Sequence, residues 1–448
     1  MKAIRNIQFL GYTLFALLTI AALWLYKERV LYVDSAYYAF NMLNEGHPVA
    51  EHNRYALYIY QLLPLAMMKA GFAVSIVLRT YSVSHILLHI IAFIILLRIR
   101  QPLLAGILLI MQIIGYRECF FLTVNETALA ISATLTLAGC LSYFKTKQTP
   151  VYLQFISYIT CIGIGFFSHP MAMIIIPFVL TYHWVNQGNF NNDLKQILIL
   201  LLSLIVVFIC KKIISKESGY ENDLFAQLGN TTQILSNLKD VYSYKFFTGE
   251  FKLQAYFFSI YIMPTTLAVY CIYKYIHGKQ YRQLAFYLLS IISFWFIIII
   301  FFNRGDGNIF MEKNFTPWIL VAIYPLKDLL KMDGIYLKPT QLIVFLAIIG
   351  YSLFGVLKVT PMYQKRLYLM DDLITVKNEG KSKLILQDSM VNHEEWLGIW
   401  ALPYESILLS KVKKLPPVTA KIYHNEEQIN KELYRKDIFL GADFIPVL

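Results

Sequence analysis

Apolar residues fall in long blocks along most of this chain, and charged residues gather in the gaps between them. The blocks predict helical membrane spans over 7–26, 79–97, 102–116, 127–144, 150–168, 171–186, 196–214, 256–273, 283–302, 315–331 and 340–358. Each approaches the roughly 20 apolar residues that a helix needs to cross a bilayer. Segment 56–72 is apolar too, but Gln61, Pro64 and Lys69 interrupt it. It reads as a helix lying at or dipping into the interface. The short alternating segments of a membrane β-barrel are absent.

Composition agrees with the pattern. The 448 residues are 57% hydrophobic and only 15% charged, against roughly 25% charged in soluble domains, and the mean hydropathy is +0.53. These values exclude a soluble multidomain chain and a disordered one. They predict an all-α polytopic membrane protein of about eleven transmembrane helices. Lys2 and Arg5 before the first apolar block resemble a signal peptide, but the block continues to about Tyr26 without a small-residue cleavage site and is expected to stay as span one. The five cysteines form no disulfide framework or CxxC pair.

The net charge of +12 raises the question of nucleic acid, and its placement answers it. With Met1 inside and 56–72 not spanning, the inside loops and their flanks hold Arg98, Arg100, Lys145, Lys147, Lys195, Lys274, Lys279, Arg282, Lys327, Lys331 and Lys338. The short outside loops downstream hold only Arg117, Arg304 and Lys313. This is the positive-inside bias, so no nucleic-acid partner is called for, and the C-terminus is expected outside. Three outside regions are long enough to have structure: 27–78, 211–255 and the tail 359–448. In the tail, "KSKLILQDS", "PPVTAKIYH" and "KDIFLGADFIPV" read as strands, and "HEEWLGIWALPYESILLSKVKK" and "NEEQINKELYRK" as helices. The expectation is a transmembrane domain over 1–358 and a small extracytoplasmic α/β domain over 359–448.

Ionisable groups near hydrocarbon are costly without a role or a partner. Their densest set lies in the first outside region: Asp34 directly after span one, then His47, Glu51, His52 and Arg54. A carboxylate, two imidazoles and a guanidinium can bind a metal, move a proton or hold a phosphate. Equally, Asp34 can be a helix N-cap and the rest a solvated loop. Glu126 opens span four, where the macrodipole alone would favour it. His169 and Pro170 form the turn between spans five and six, and Arg304 and Lys313 lie in a Gly-bent loop before span ten. Within the spans, His85 and His89 stand one turn apart, as metal ligands or as buried, hydrogen-bonded histidines.

The order of these parts resembles the GT-C glycosyltransferases, membrane enzymes that use polyprenyl-phosphate sugars. Carrying it are Asp34 after span one, a long first loop, "LPLAMMKAGF" before Arg79 at the start of span two, Glu126, the His169–Pro170 turn, and the basic approach from Lys313 to Trp318. The likeness covers residues 1–358. It implies inverting transfer of a sugar from a polyprenyl-phosphate donor to an acceptor hydroxyl, with a glycan, lipid or protein as acceptor. It also implies an integral protein of a bacterial inner membrane. Asp34 would be the base, with Glu126 positioning the acceptor or sharing a divalent metal. Arg54, His169, Arg79 and Lys313 would stabilise the departing phosphate, with His47, Glu51, His52 and Arg304 as further binding groups. The alternatives are a lipid-linked glycan flippase and a glycan polymerase or ligase.

Overall fold

The computed structural model describes residues 2–147, 149–187, 194–214, 261–301, 315–329, 339–376, 383–387, 391–396 and 398–423. It begins with α1 (Lys2–Trp24), the short α2 (Tyr26–Val30) and α3 (Val33–Glu45). Helix α3 stops at Gly46, whose φ of +69° suits a left-handed cap that only glycine adopts without strain. Helix α4 (Tyr58–Lys69) follows a single 3-10 turn, Tyr55–Leu57. At about 18 Å long it is too short to cross a bilayer.

The bundle continues with α5 (Val74–Arg98), α6 (Pro102–Cys119), α7 (Glu126–Thr146), α8 (Val151–Ser168), α9 (Ala172–Gln187) and α10 (Leu194–Ile214). Next come α11 (Ile262–His277), α12 (Tyr281–Phe301), α13 (Thr316–Ile323), α14 (Leu326–Leu329) and α15 (Pro339–Thr375). Among the described residues six helices are long and apolar enough to cross a membrane: Asn6–Trp24, Val74–Arg98, Glu126–Thr146, Val151–Ser168, Leu194–Ile214 and Ile343–Thr375. Three shorter apolar helices, Pro102–Arg117, Ala172–Val185 and Tyr281–Ile297, accompany them. The protein is a multi-pass, all-α integral membrane protein. Its bilayer surface is plain on α10, where Leu198, Leu201, Leu202, Ile205, Phe208 and Ile209 are all exposed.

Two helices differ from the sequence reading. The block 315–331 breaks between α13 and α14 at Tyr324–Pro325, where proline cannot continue the hydrogen-bond ladder. The last span does not stop at 358: α15 runs on to Thr375, through Pro361. Hydropathy marks where a helix leaves the apolar zone, not where its hydrogen bonding ends.

Beyond α15 lie β1 (Lys383–Gln387), α16 (His393–Trp396), α17 (Leu402–Val412) and β2 (Thr419–Tyr423). The two strands pair in parallel, Lys383 opposite Thr419 and Gln387 opposite Tyr423, which requires a crossover of this kind. Ser406 and Ser410 of α17 accept from the Ala420 and Val418 amides at 3.0 and 3.3 Å. The helix predicted across "HEEWLGIWALPYESILLSKVKK" is split at Gly398, with φ +75°. The elements expected in 424–448 lie outside the described residues.

The core has three parts. The largest joins α1, α5, α6, α7, α9 and α11 to α13; another joins α7, α8, α9 and α10. The third packs α3, α4 and the end of α15 against α17 and β2, so the C-terminal elements share a core with the helix ends. Close packing in the first is set by Gly11, over which the buried Phe93 ring lies. A Cβ there would fall 2.1 Å from Phe93 Cζ. Gly11→Ala should therefore lower stability by about 1–3 kcal/mol, the usual cost of overpacking. The check is a reduced midpoint of thermal unfolding in detergent.

Candidate functional site

Helix hairpins bring the end of α1, the starts of α5 and α7, the end of α6 and the α8–α9 turn to one end of the bundle. Arg29 of α2 ties these parts together. It is 1% exposed, and its guanidinium donates to Ser82 Oγ (2.9 Å), Ser82 O (3.3 Å) and Phe120 O. It also lies 4.3 Å from the Phe120 ring centre. Thr123 Oγ1 returns a bond to Arg29 O at 2.7 Å. Burial lowers the Arg29 pKa to about 10, so it stays charged at neutral pH.

Asn125 caps α7, its Oδ1 accepting from the Ala128 amide at 3.0 Å. Glu126 is thus the first helical residue, where the macrodipole favours a carboxylate. It is 1% exposed and forms an ion pair with Arg54. A buried carboxylate needs such a partner. Arg54 arrives through a backbone reversal in which His52 and Asn53 both have positive φ, +51° and +59°. Gln61 anchors that loop: its buried amide accepts from Val49 N at 2.8 Å and donates to Val49 O at 2.6 Å. One of the residues that interrupts the apolar segment 56–72 is therefore what holds the preceding loop.

Asp34 is the second residue of α3; the cap position is Tyr32, which makes no side-chain capping bond. The N-cap alternative for Asp34 is set aside. Its side chain remains open to solvent, yet protein crowds one side of it. That desolvation holds its carboxyl above the ordinary value, while Arg54 first and His52 second pull it down. Tyr38, one turn further along α3, lies among Asp34, Arg54 and Glu126, and burial and the Glu126 charge raise its phenol.

Of the other sequence candidates, Glu51 accepts from the Tyr37 hydroxyl. His47 is exposed and pairs with Glu45 at 3.2 Å, away from the centre of the group. Arg79 lies over Tyr26, 4.9 Å from the ring centre. His169 is buried, and its Nδ1 accepts from Met171 N at 3.1 Å, shaping the turn. Tyr55 packs on Phe167, two residues before it, at 6.1 Å. Arg304 and Lys313 lie outside the described residues, as does most of the predicted 211–255 region. Among the described residues no group of three His, Cys, Asp or Glu forms a metal-ligand set. Glu126 stands against a guanidinium, which does not suit a metal shared with Asp34.

His85 and His89 both line a cavity of about 20 Å³ with Tyr60, Gln112, Tyr116 and Asn125. His89 Nδ1 bonds Ser132 Oγ at 2.8 Å, and His85 stacks on Tyr60 at 3.9 Å. That volume is enough for an ordered water molecule.

Sequence reasoning missed Arg29 of α2, Tyr38 of α3 and a pair in α15 and α17. Arg366 is buried and donates to Glu405, Leu31 O (3.2 Å), Trp396 O (2.8 Å) and Gly398 O (3.2 Å). Glu405 also accepts from Val33 N at 2.8 Å. Val33 has φ +35°, an outlying value for a β-branched residue, and it immediately precedes Asp34. A Cβ on Gly398 would stand 2.8 Å from Val33 Cγ1. The only advance sign was Glu405 within the apolar stretch "LPYESILL". Tyr38 could have been found from its i+4 spacing to Asp34.

Glu405→Ala strands the buried Arg366 charge and removes the acceptor for Val33 N. It should cost about 3–5 kcal/mol, read as a lower unfolding midpoint and faster proteolysis after α15. Because the two residues share one network, Arg366→Met with Glu405→Leu should cost less than the sum of the single changes.

Comparisons with family models, with curated proteins and with solved structures find no match to this chain.

Proposed function

We propose that this protein is a membrane glycosyltransferase that moves a sugar, with inversion, from a polyprenyl-phosphate donor to an acceptor hydroxyl on the extracytoplasmic side. The observation that carries the reading is Asp34: a solvent-accessible carboxyl, held above its ordinary pKa, beside Arg54 and His52 at one end of an apolar helix bundle. A base whose pKa is raised toward the working pH is a more effective proton acceptor while remaining largely ionised. In this reading eleven spans place the N-terminus inside, and the α/β elements that follow α15 lie outside, on a bacterial inner membrane.

Asp34 takes the proton of the acceptor hydroxyl as its oxygen attacks the anomeric carbon. The bond from that carbon to the phosphate oxygen breaks on the opposite face, and polyprenyl phosphate leaves with the electron pair. Fixed cations stabilise the charge that develops there. Arg54 and His52 are placed for this, with Lys313, Arg304, Arg79 and His169 as further candidates. Glu126, buried against Arg54, orients that guanidinium rather than touching the acceptor. The lipid tail lies along exposed apolar helix faces, which is why the reaction belongs in a bilayer.

Asp34→Asn should abolish transfer from a polyprenyl-phosphate sugar, with elution and thermal unfolding in detergent unchanged. Full activity in that variant removes Asp34 from the mechanism. The acidic limb of the rate profile should lie above the ordinary Asp range. His52 lowers the Asp34 pKa when protonated, so His52→Gln should move that limb to higher pH. A shift to lower pH would contradict the assignment.

A further inference from the structure

We propose that Trp400, Tyr37 and Tyr404 form a stacking platform for a pyranose ring, making the acceptor a carbohydrate. The acceptor role rests on the glycosyltransferase reading above; sugar binding itself does not. Trp400 lies between α16 and α17, outside the spans, and is 54% exposed. Its ring centre is 5.8 Å from that of Tyr37. Tyr404 meets Tyr37 edge to face at 5.1 Å, and Tyr38 does so at 5.5 Å. Glu51 takes the Tyr37 hydroxyl hydrogen, which holds the phenol in place.

The chemistry of the patch selects its ligand. A pyranose presents a face of C–H groups that lies flat on an aromatic ring, and a rim of hydroxyls that needs acceptors and donors. Trp400 offers the flat face, and Glu51 and the tyrosine hydroxyls offer the polar rim. Among the described residues, no Lys or Arg lies over the Tyr37, Trp400 or Tyr404 rings, although other rings carry one. That suits a neutral polyhydroxyl ligand better than an anion. The rings pack against one another at 49° to 90° rather than around a common centre, so they do not box in an ammonium group.

Placement links the patch to the site. Tyr37 is three residues after Asp34 on α3, which makes them neighbours on the helix surface. Glu51 adjoins His52, whose charge reaches Asp34. A sugar stacked on the platform therefore presents a rim hydroxyl toward Asp34, which takes its proton as the hydroxyl oxygen bonds to the donor sugar.

The test is titration of the full-length protein in lipid nanodiscs with a panel of neutral methyl pyranosides and short oligosaccharides. Binding is expected for at least one, about tenfold weaker in Trp400→Ala. Trp400→Phe should retain part of it, and Trp24→Ala, at the end of span one, all of it. Size-exclusion profiles check that each variant is folded. Three results overturn the proposal: no saccharide binds, Trp400→Ala binds as the wild type does, or choline binds in preference to sugars. So does quenching of the Trp400 emission (wild type minus Trp400→Phe) by brominated lipid, which would put the ring in the bilayer. Sugar binding lost in Trp400→Ala, with no transfer from any polyprenyl-phosphate sugar, keeps the platform and removes the glycosyltransferase reading. Transfer that is indifferent to Trp400→Ala removes the acceptor role of the platform and leaves that reading standing.

Discussion

The geometry around Asp34 depends on one buried carboxylate. Glu405 is fully enclosed and faces Arg366 on one side and the Val33 amide on the other. Ion pairs of this kind contribute little net stability, because desolvation offsets most of the attraction. Their effect here is on selection. Arg366 binds the carbonyls of Leu31, Trp396 and Gly398 as well as Glu405. The docking of α17 on α3 satisfies all of those groups at once. The same docking holds Val33 at a φ that its β-branched side chain disfavours, and that turn sets how α3, and Asp34 with it, leaves the end of α2.

Two buried arginines at this end of the bundle are neutralised differently. Arg29 is surrounded by the Ser82 hydroxyl, two backbone carbonyls and an aromatic face, whereas Arg366 has a carboxylate. Carbonyl dipoles solvate a guanidinium without adding a charge that could unpair, which suits a site among span ends. A carboxylate adds directional pairing between segments far apart in sequence, which suits a docking surface. The third core cluster spreads the same contact over apolar contacts such as Phe40 with Tyr404, 5.3 Å between centres.

The spans were legible because hydrocarbon imposes one rule on every residue of a helix, and a run of apolar side chains records it directly. What hydropathy does not record is hydrogen bonding. It therefore missed the break at Tyr324–Pro325 and the continuation of α15 to Thr375. In the tail, β1 and β2 were readable from their β-branched and apolar content, but the split at Gly398 was not. There the backbone turns through a positive φ and packs so close to Val33, more than 300 residues away, that a Cβ would not fit. The site divides in the same way. Asp34, Arg54 and Glu126 stood out as charges beside apolar blocks and do come together. His47 stood out equally and pairs instead with Glu45, because position along a loop says nothing of where the loop folds. Gln61 looked like a flaw in an apolar segment and is instead the anchor of the Arg54 loop.

The state of Asp34 follows from how two opposing influences are partitioned. Crowding by α3 and its neighbours disfavours the carboxylate, and Arg54 and His52 favour it. Burial is the larger influence, so the carboxyl stays above its ordinary value although a guanidinium stands near it. Glu126, buried at the start of α7, takes that guanidinium as its own partner. An ion pair presents a dipole to its surroundings rather than a monopole, and the field of a dipole falls off faster with distance.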